Sequence, residues 1–182
     1  MMNIKRWARS LEQDRKNKDR FFKEHGQSPI PQRDRKRFRN LDYYPPDINL
    51  RFILPLYEHE KKKRIQIEDT GGNLRDMLRW GEFRFTVNGV DCILQAYKSD
   101  PYEERLFVPF KDATCGKETY GAGRYIDLDE GHLTRDGKWM LDFNLAYNPW
   151  CAYSMDYVCP YVPPENWLKV PIRAGEKNYH LE

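Results

Sequence analysis

The residues best equipped for chemistry are crowded between Tyr147 and Asn166, a loop of Tyr, Cys, Pro, Asn and Glu that follows two short strand-like runs. Ordering so long a loop costs conformational entropy, so it needs local packing or a binding role. Within it Cys151 and Cys159 stand eight positions apart, with Tyr153 and Tyr157 between them. Three readings of the pair are open. Two buried free thiols are favoured. A disulfide closing the loop is disfavoured in a reducing cytosol. A metal site would draw on His132 and Cys115, but the spacing matches no familiar zinc pattern. No metal and no cofactor are expected.

Other polar residues flank this loop. In Gly121–Asp127 two glycines allow close backbone approach, and Arg124 offers a planar fork for a carboxylate or phosphate. Asp127 falls on the opposite strand face from Arg124, so the two should not pair. A row of Asp142, Asn144 and Asn148 alternates with Trp139, Leu141, Phe143, Leu145 and Tyr147. That row is either the wet outer face of a strand or the lining of a cleft, and the outer face is the expectation. Glu165 and Glu176 could pair for acid–base work. Glu165 and Asn166, just after Pro163-Pro164, are better suited to bonding nearby amides and holding the loop. No nucleophile elbow, HExxH or P-loop occurs, and the four histidines carry no supporting motif.

The elements that must position these residues are mostly strands. Residues 3–25 read as a helix with Ile4, Trp7, Ala8 and Leu11 on a narrow apolar face and Phe21 and Phe22 at its far end. Glu12–Lys16, Asp14–Lys18 and Asp19–Lys23 have helical ion-pair spacing. Gly26 suits the C′ position, and Ser28-Pro29 ends the helix. Strands follow at 51–57, with Pro55 marking an edge or bulge, and at 64–69, closed by a turn at 69–72. Residues 74–80 lean towards strand. A hairpin spans 82–98, where Asn88-Gly89 suits a type I′ turn pairing Val87 with Val90, Phe85 with Cys92 and Phe83 with Leu94. Cys92 is then a core residue. Further strands are expected at 104–110, 124–128, 138–147 and 167–173. The fold class is mainly β, an antiparallel barrel or two-sheet sandwich with the N-terminal helix packed outside.

The chain has 182 residues, 40% hydrophobic and 14% aromatic, which argues against wholesale disorder. It contains no apolar run long enough for a transmembrane helix and no apolar core of a signal peptide, so a soluble cytoplasmic protein is expected. Residues 1–40 carry a net charge of +8 and residues 41–182 a net charge of −5. The first stretch could be a nucleic-acid arm, but its acids are interspersed at helical spacing, which favours a solvated helix docked on an acidic body. Residues 1–40 are thus a helix and basic connector, and 41–182 a β domain, together one structural unit. The terminal Leu181-Glu182 reads as a vector-derived tail.

Several of these segments together resemble a known family. GRYIDL, DFNLAYNPWCAYSMDYVCP and PPEN…VPIRAGE, with the upstream stretches Phe110–Gly116 and Glu118–Gly123, Trp7, Ser28-Pro29 and Tyr43–Pro45, are similar to the archaeal and bacterial domain of unknown function 1684. Trp150 and Cys115 depart from the pattern, where proline and serine are common. The resemblance implies a domain boundary and no activity. It marks Arg124, Tyr125, Asp127, Asn144, Tyr147, Asn148, Cys151, Tyr153, Cys159, Glu165, Asn166 and Glu176 as positions to inspect.

The resulting expectation is a β domain that binds a small polar or anionic molecule in a pocket beneath the 147–166 loop. Arg124 would meet the anion, Asn144 and Asn148 would orient it, and Tyr147 and Tyr153 would supply walls. Tyr125, Asp127, Glu165 and Asn166 complete the candidate set. One alternative is a hydrolase with Asp127 or Glu165 as general base. Another is an interaction protein whose aromatic loop forms a homodimer interface.

Overall fold

The computed structural model describes residues 3–180; Leu181-Glu182, read as a tail, lies outside them. Helix α1 (Ile4–Glu24) starts at Asn3, whose side chain accepts from the Arg6 amide at 3.1 Å. Leu11 and Phe22 are its buried residues, while Ile4 is exposed. Phe22 packs with Ile30, Phe38, Leu41 and Tyr153. Gly26 does not supply the left-handed cap: His25 leaves the helix in extended conformation, and Gly26 has no positive φ. Arg35 does that work instead, donating to the carbonyls of His25 at 2.8 Å and Ile30 at 2.9 Å. A guanidinium placed there satisfies backbone carbonyls of the turn that follows the helix.

Two antiparallel sheets follow. The smaller pairs β1 (Arg51–Leu54) with β7 (Trp139–Asp142). The larger is a five-stranded meander of β2 (Tyr57–Glu68), β3 (Leu74–Val87), β4 (Val90–Lys98), β5 (Leu106–Phe110) and β6 (Arg124–Leu128), in that order. No barrel closes among the described residues; the arrangement is a two-sheet sandwich. Phe83, Phe85, Leu94, Val108, Phe110, Ile126 and Leu128 of the larger sheet form one core with Leu141, Phe143, Ile172 and Ala174. Each fully buried Val, Leu, Ile or Phe side chain among them contributes roughly 1.5–3 kcal/mol. The hairpin has the expected register, with Asn88 at φ 50° and Gly89 at φ 78°.

Three expected strands differ. Pro55 divides 51–57, and the chain leaves the small sheet there to enter the large one. The strand expected at 138–147 ends at Asp142, whose carboxylate accepts from the Asn144 amide at 2.9 Å and turns the chain into a short 3-10 helix, Phe143–Leu145. Segment 167–173 keeps its alternation, burying Val170 and Ile172, but is not a strand. Its backbone groups go elsewhere: the Ile172 amide to Asp112 at 2.6 Å and the Ile172 carbonyl to Arg124 at 2.8 Å.

Candidate functional site

The outer face of the large sheet is where loop and strands meet. Cross-strand pairing sets Lys63 opposite Arg79, Arg79 opposite Tyr97, Tyr97 opposite Phe107 and Phe107 opposite Asp127. Directly opposed residues share a face. One lateral row therefore crosses the whole sheet, cationic at its β2 end and acidic at its β6 end. A bulge at Trp80 makes this possible, because the register shifts between Arg79 and Gly81. Odd-numbered residues of β3 consequently point outward up to Arg79 and inward from Phe83.

The 147–166 loop lies over this row. Val162 and Tyr147 pack on Tyr97, Phe107, Tyr125, Ile65 and Met77. The Tyr161 amide donates to Glu68 O at 2.9 Å, and the Thr70 amide to Cys159 O at 3.0 Å. Tyr125 Oη donates to Pro160 O. Gly123, at φ 102°, accepts the loop's approach: a Cβ there would sit 2.6 Å from Val162 Cγ2.

Five of the expected ligand residues are buried structural groups. Arg124 is fully buried and donates to the carbonyls of Ile172, Ala174 and Glu176, with Asp112 at 3.5 Å. It grips the 172–176 segment and has no surface for an anion, which corrects its assigned role. The row Asp142, Asn144 and Asn148 is buried, against the expectation of a wet outer face. Asn144 exchanges two hydrogen bonds with the Asp47 backbone at 2.8 Å each. Asn148 donates to Lys177 O at 2.8 Å. Asn166 accepts from the Gln95 amide at 2.7 Å and donates to Gln95 O and Pro109 O. Tyr153 Oη donates to Glu176 at 2.5 Å.

Glu176 centres a polar network between α1 and the body. It also accepts from Lys18 at 2.5 Å and from the Asn148 amide at 2.7 Å. Lys18 thus turns inward, away from its expected helical partner Asp14. Glu165 shares none of these partners, so the expected Glu165–Glu176 acid–base pair is not assembled. Trp7 and Arg15 reach the same interface, through Asp142 at 3.3 Å and Tyr44 O at 2.8 Å.

Two clefts flank the loop. The first, of about 370 Å³, lies between β2 and Tyr161–Glu165, with Lys63, Ile65, Ile67, Arg79, Val162 and Glu165 among its walls. Arg79 sits there with an incomplete set of partners. Its Nη1 is 3.8 Å from Glu165 Oε1, too long for a hydrogen bond, and its buried Nε has none. Lys63 is exposed and has no ion-pair partner among the described residues. Glu165 accepts from Tyr97 Oη at 3.0 Å. Burial and the neighbouring Glu165 push the Tyr97 phenol well above its ordinary value, so it stays a donor. Sequence reading passed over Lys63 and Arg79, because only the bulge turns Arg79 outward.

The second cleft, of about 250 Å³, is walled by Tyr125, Tyr147, Pro149, Trp150, Tyr157, Val158 and Cys159. Tyr147 Oη donates to Asp127 at 2.5 Å, and Arg105 stands 3.5 Å from the other carboxylate oxygen. A tyrosine hydroxyl and an arginine thus face each carboxylate proposed as a base. The Cys151 amide donates to Cys159 Sγ at 3.4 Å, and Tyr120 Oη lies 3.8 Å from Cys151 Sγ. Both thiols are free. The neighbouring Cys151 thiol, with backbone amides, pulls Cys159 below the ordinary thiol value against its burial; the Cys159 thiol and burial push Cys151 up. No group of three or more His, Cys, Asp or Glu is placed to hold a metal among the described residues. His132 bonds Asp129, and Cys115 lies in the turn with Asp112 and Thr119.

A family profile described as Protein of unknown function (DUF1684) matches residues 36–177. Among solved structures, the solution NMR structure of an uncharacterized protein from Haloarcula marismortui is 38% identical, covers 95% of each chain and superposes with a TM-score of 0.71. No curated protein matches.

Proposed function

The chain belongs to the DUF1684 family, and from its geometry we propose that it binds a small organic anion in the cleft between β2 and Tyr161–Glu165. The observation that carries this reading is Arg79. A guanidinium with a buried, unpartnered Nε and a loose ion pair is an under-satisfied cation. Completing its hydrogen bonds with a carboxylate is favourable, because charge-assisted pairs in a half-buried site are strong. Lys63 adds a second positive charge at the same end of the cross-strand row. The apolar walls, Ile65, Ile67, Val162 and Pro163, suit an aliphatic or aromatic body attached to that carboxylate. The ligand would displace Glu165 from Arg79, leaving Glu165 with Tyr97.

Calorimetric titration with hexanoate and benzoate tests this. Binding is expected to weaken with added salt and to fall about tenfold or more in Arg79→Gln, the loss of one charge-assisted hydrogen bond. Absence of binding by both acids, or equal affinity in Arg79→Gln, would contradict the reading.

A further inference from the structure

We propose that Cys159 and Cys151 form a dithiol centre that exchanges with small aromatic disulfides entering the cleft beside Trp150 and Tyr157. Cys159 Sγ accepts from the Cys151 amide, which sets the two cysteines side by side, and Cys159 lines the cleft. The Cys151 amide, at 3.4 Å, holds Cys159 Sγ in place. Trp150 and Tyr157 meet edge to face with centroids 5.0 Å apart and give the cleft an aromatic wall suited to a planar group. Tyr120 Oη, at 3.8 Å from Cys151 Sγ, can donate to that sulfur once its own proton has left.

The roles follow from position. Cys159 is the attacking thiolate, because it lines the cleft and its sulfur accepts from the Cys151 amide. It attacks one sulfur of the disulfide; that S–S bond breaks and the first aromatic thiolate leaves. Cys151 then gives its proton to solvent and attacks Cys159 Sγ. The mixed disulfide breaks, the second thiolate leaves, and an intramolecular Cys151–Cys159 disulfide remains. Two protein thiols are oxidised, and the substrate disulfide is reduced to two thiols. This centre is independent of the anion cleft on the other side of the loop.

The probe is dithiobis-nitrobenzoate added to the reduced full chain, with released nitrothiobenzoate followed by absorbance and the product by peptide mapping. The expected result is a fast release of two equivalents per chain, no retained adduct, and a disulfide joining the peptides that contain Cys151 and Cys159. Cys151→Ser should release one fast equivalent and keep the adduct on Cys159. Cys159→Ser should lose the fast phase. A fast phase that labels Cys92 or Cys115, or an adduct on Cys159 that Cys151 does not resolve in the unaltered chain, would overturn the proposal. The mapping on the unaltered chain stands even where a variant folds poorly.

Discussion

Asn166 exposes no surface, yet its carboxamide makes three hydrogen bonds to the edges of β4 and β5. Those strands pair by register only at Tyr97 and Phe107, and Pro109 has no amide to donate. The side chain therefore serves as the missing rung. Asn166→Ala would leave one buried amide and two carbonyls without partners, a loss of about 3 kcal/mol or more. Urea unfolding should show it; a loss under ~1 kcal/mol would mean that water replaces the carboxamide. Glu118 offers a test by pH. Arg173, at 2.8 Å and 3.0 Å, and Tyr44 hold its carboxyl down to about 2. A depressed value stabilises the fold above the unfolded carboxylate pKa of ~4.3 and is lost as pH falls towards the folded one. Between those limits the stability of Glu118→Gln should decline less steeply than that of the unaltered chain; parallel curves would refute the coupling. The residue types at these sites were legible in the sequence, but their partners were not. Whether an Asn faces solvent, ligand or a gap between strands depends on which backbone edges lie opposite it.

Helix α1 joins the body through polar contacts as much as apolar ones, because Lys18, Arg15 and Trp7 reach Glu176, Tyr44 and Asp142. Lys18→Met would leave the buried Glu176 carboxylate without its cation. Discounting for the partial exposure of Lys18, the expected cost is ~2 kcal/mol. Much of it should return in Lys18→Met with Glu176→Gln, since the orphaned charge is then absent. Additive losses in that double variant would refute the pairing. At this scale the sequence was informative where local chemistry decides the outcome. Asn88-Gly89 set both the turn and the register of its hairpin, and strands were expected where β5 and β6 lie. It misled at 138–147, where Asp142 and Asn144 carboxyl and amide groups compete with the strand for backbone partners. It misled again at 167–173, where Asp112 and Arg124 take the backbone bonds that a neighbouring strand would have made. The Trp80 bulge reverses the faces of β3, and one extra residue in a strand leaves no signature in the alternation.

Across the whole molecule, charge is arranged in layers. The basic first 40 residues meet an acidic body at Glu176 and Asp142, and Arg35 in the connector is engaged by the carbonyls of His25 and Ile30. On the opposite side of the loop, at the β2 end of the cross-strand row, Lys63 has no ion-pair partner among the described residues and Arg79 only a loose one to Glu165 at 3.8 Å. The thiol pair lies in a different cleft, whose walls include Tyr125, Tyr147 and Trp150 and neither Lys63 nor Arg79. The most direct test of the anion cleft is a two-dimensional NMR titration of the isotope-labelled full chain with hexanoate. Amide shifts concentrated in Lys63–Glu68, around Arg79 and in Tyr161–Glu165, and absent in Arg79→Gln, are the predicted result. Shifts spread over α1 and the Trp150–Cys159 stretch, or none at saturating acid, would contradict it.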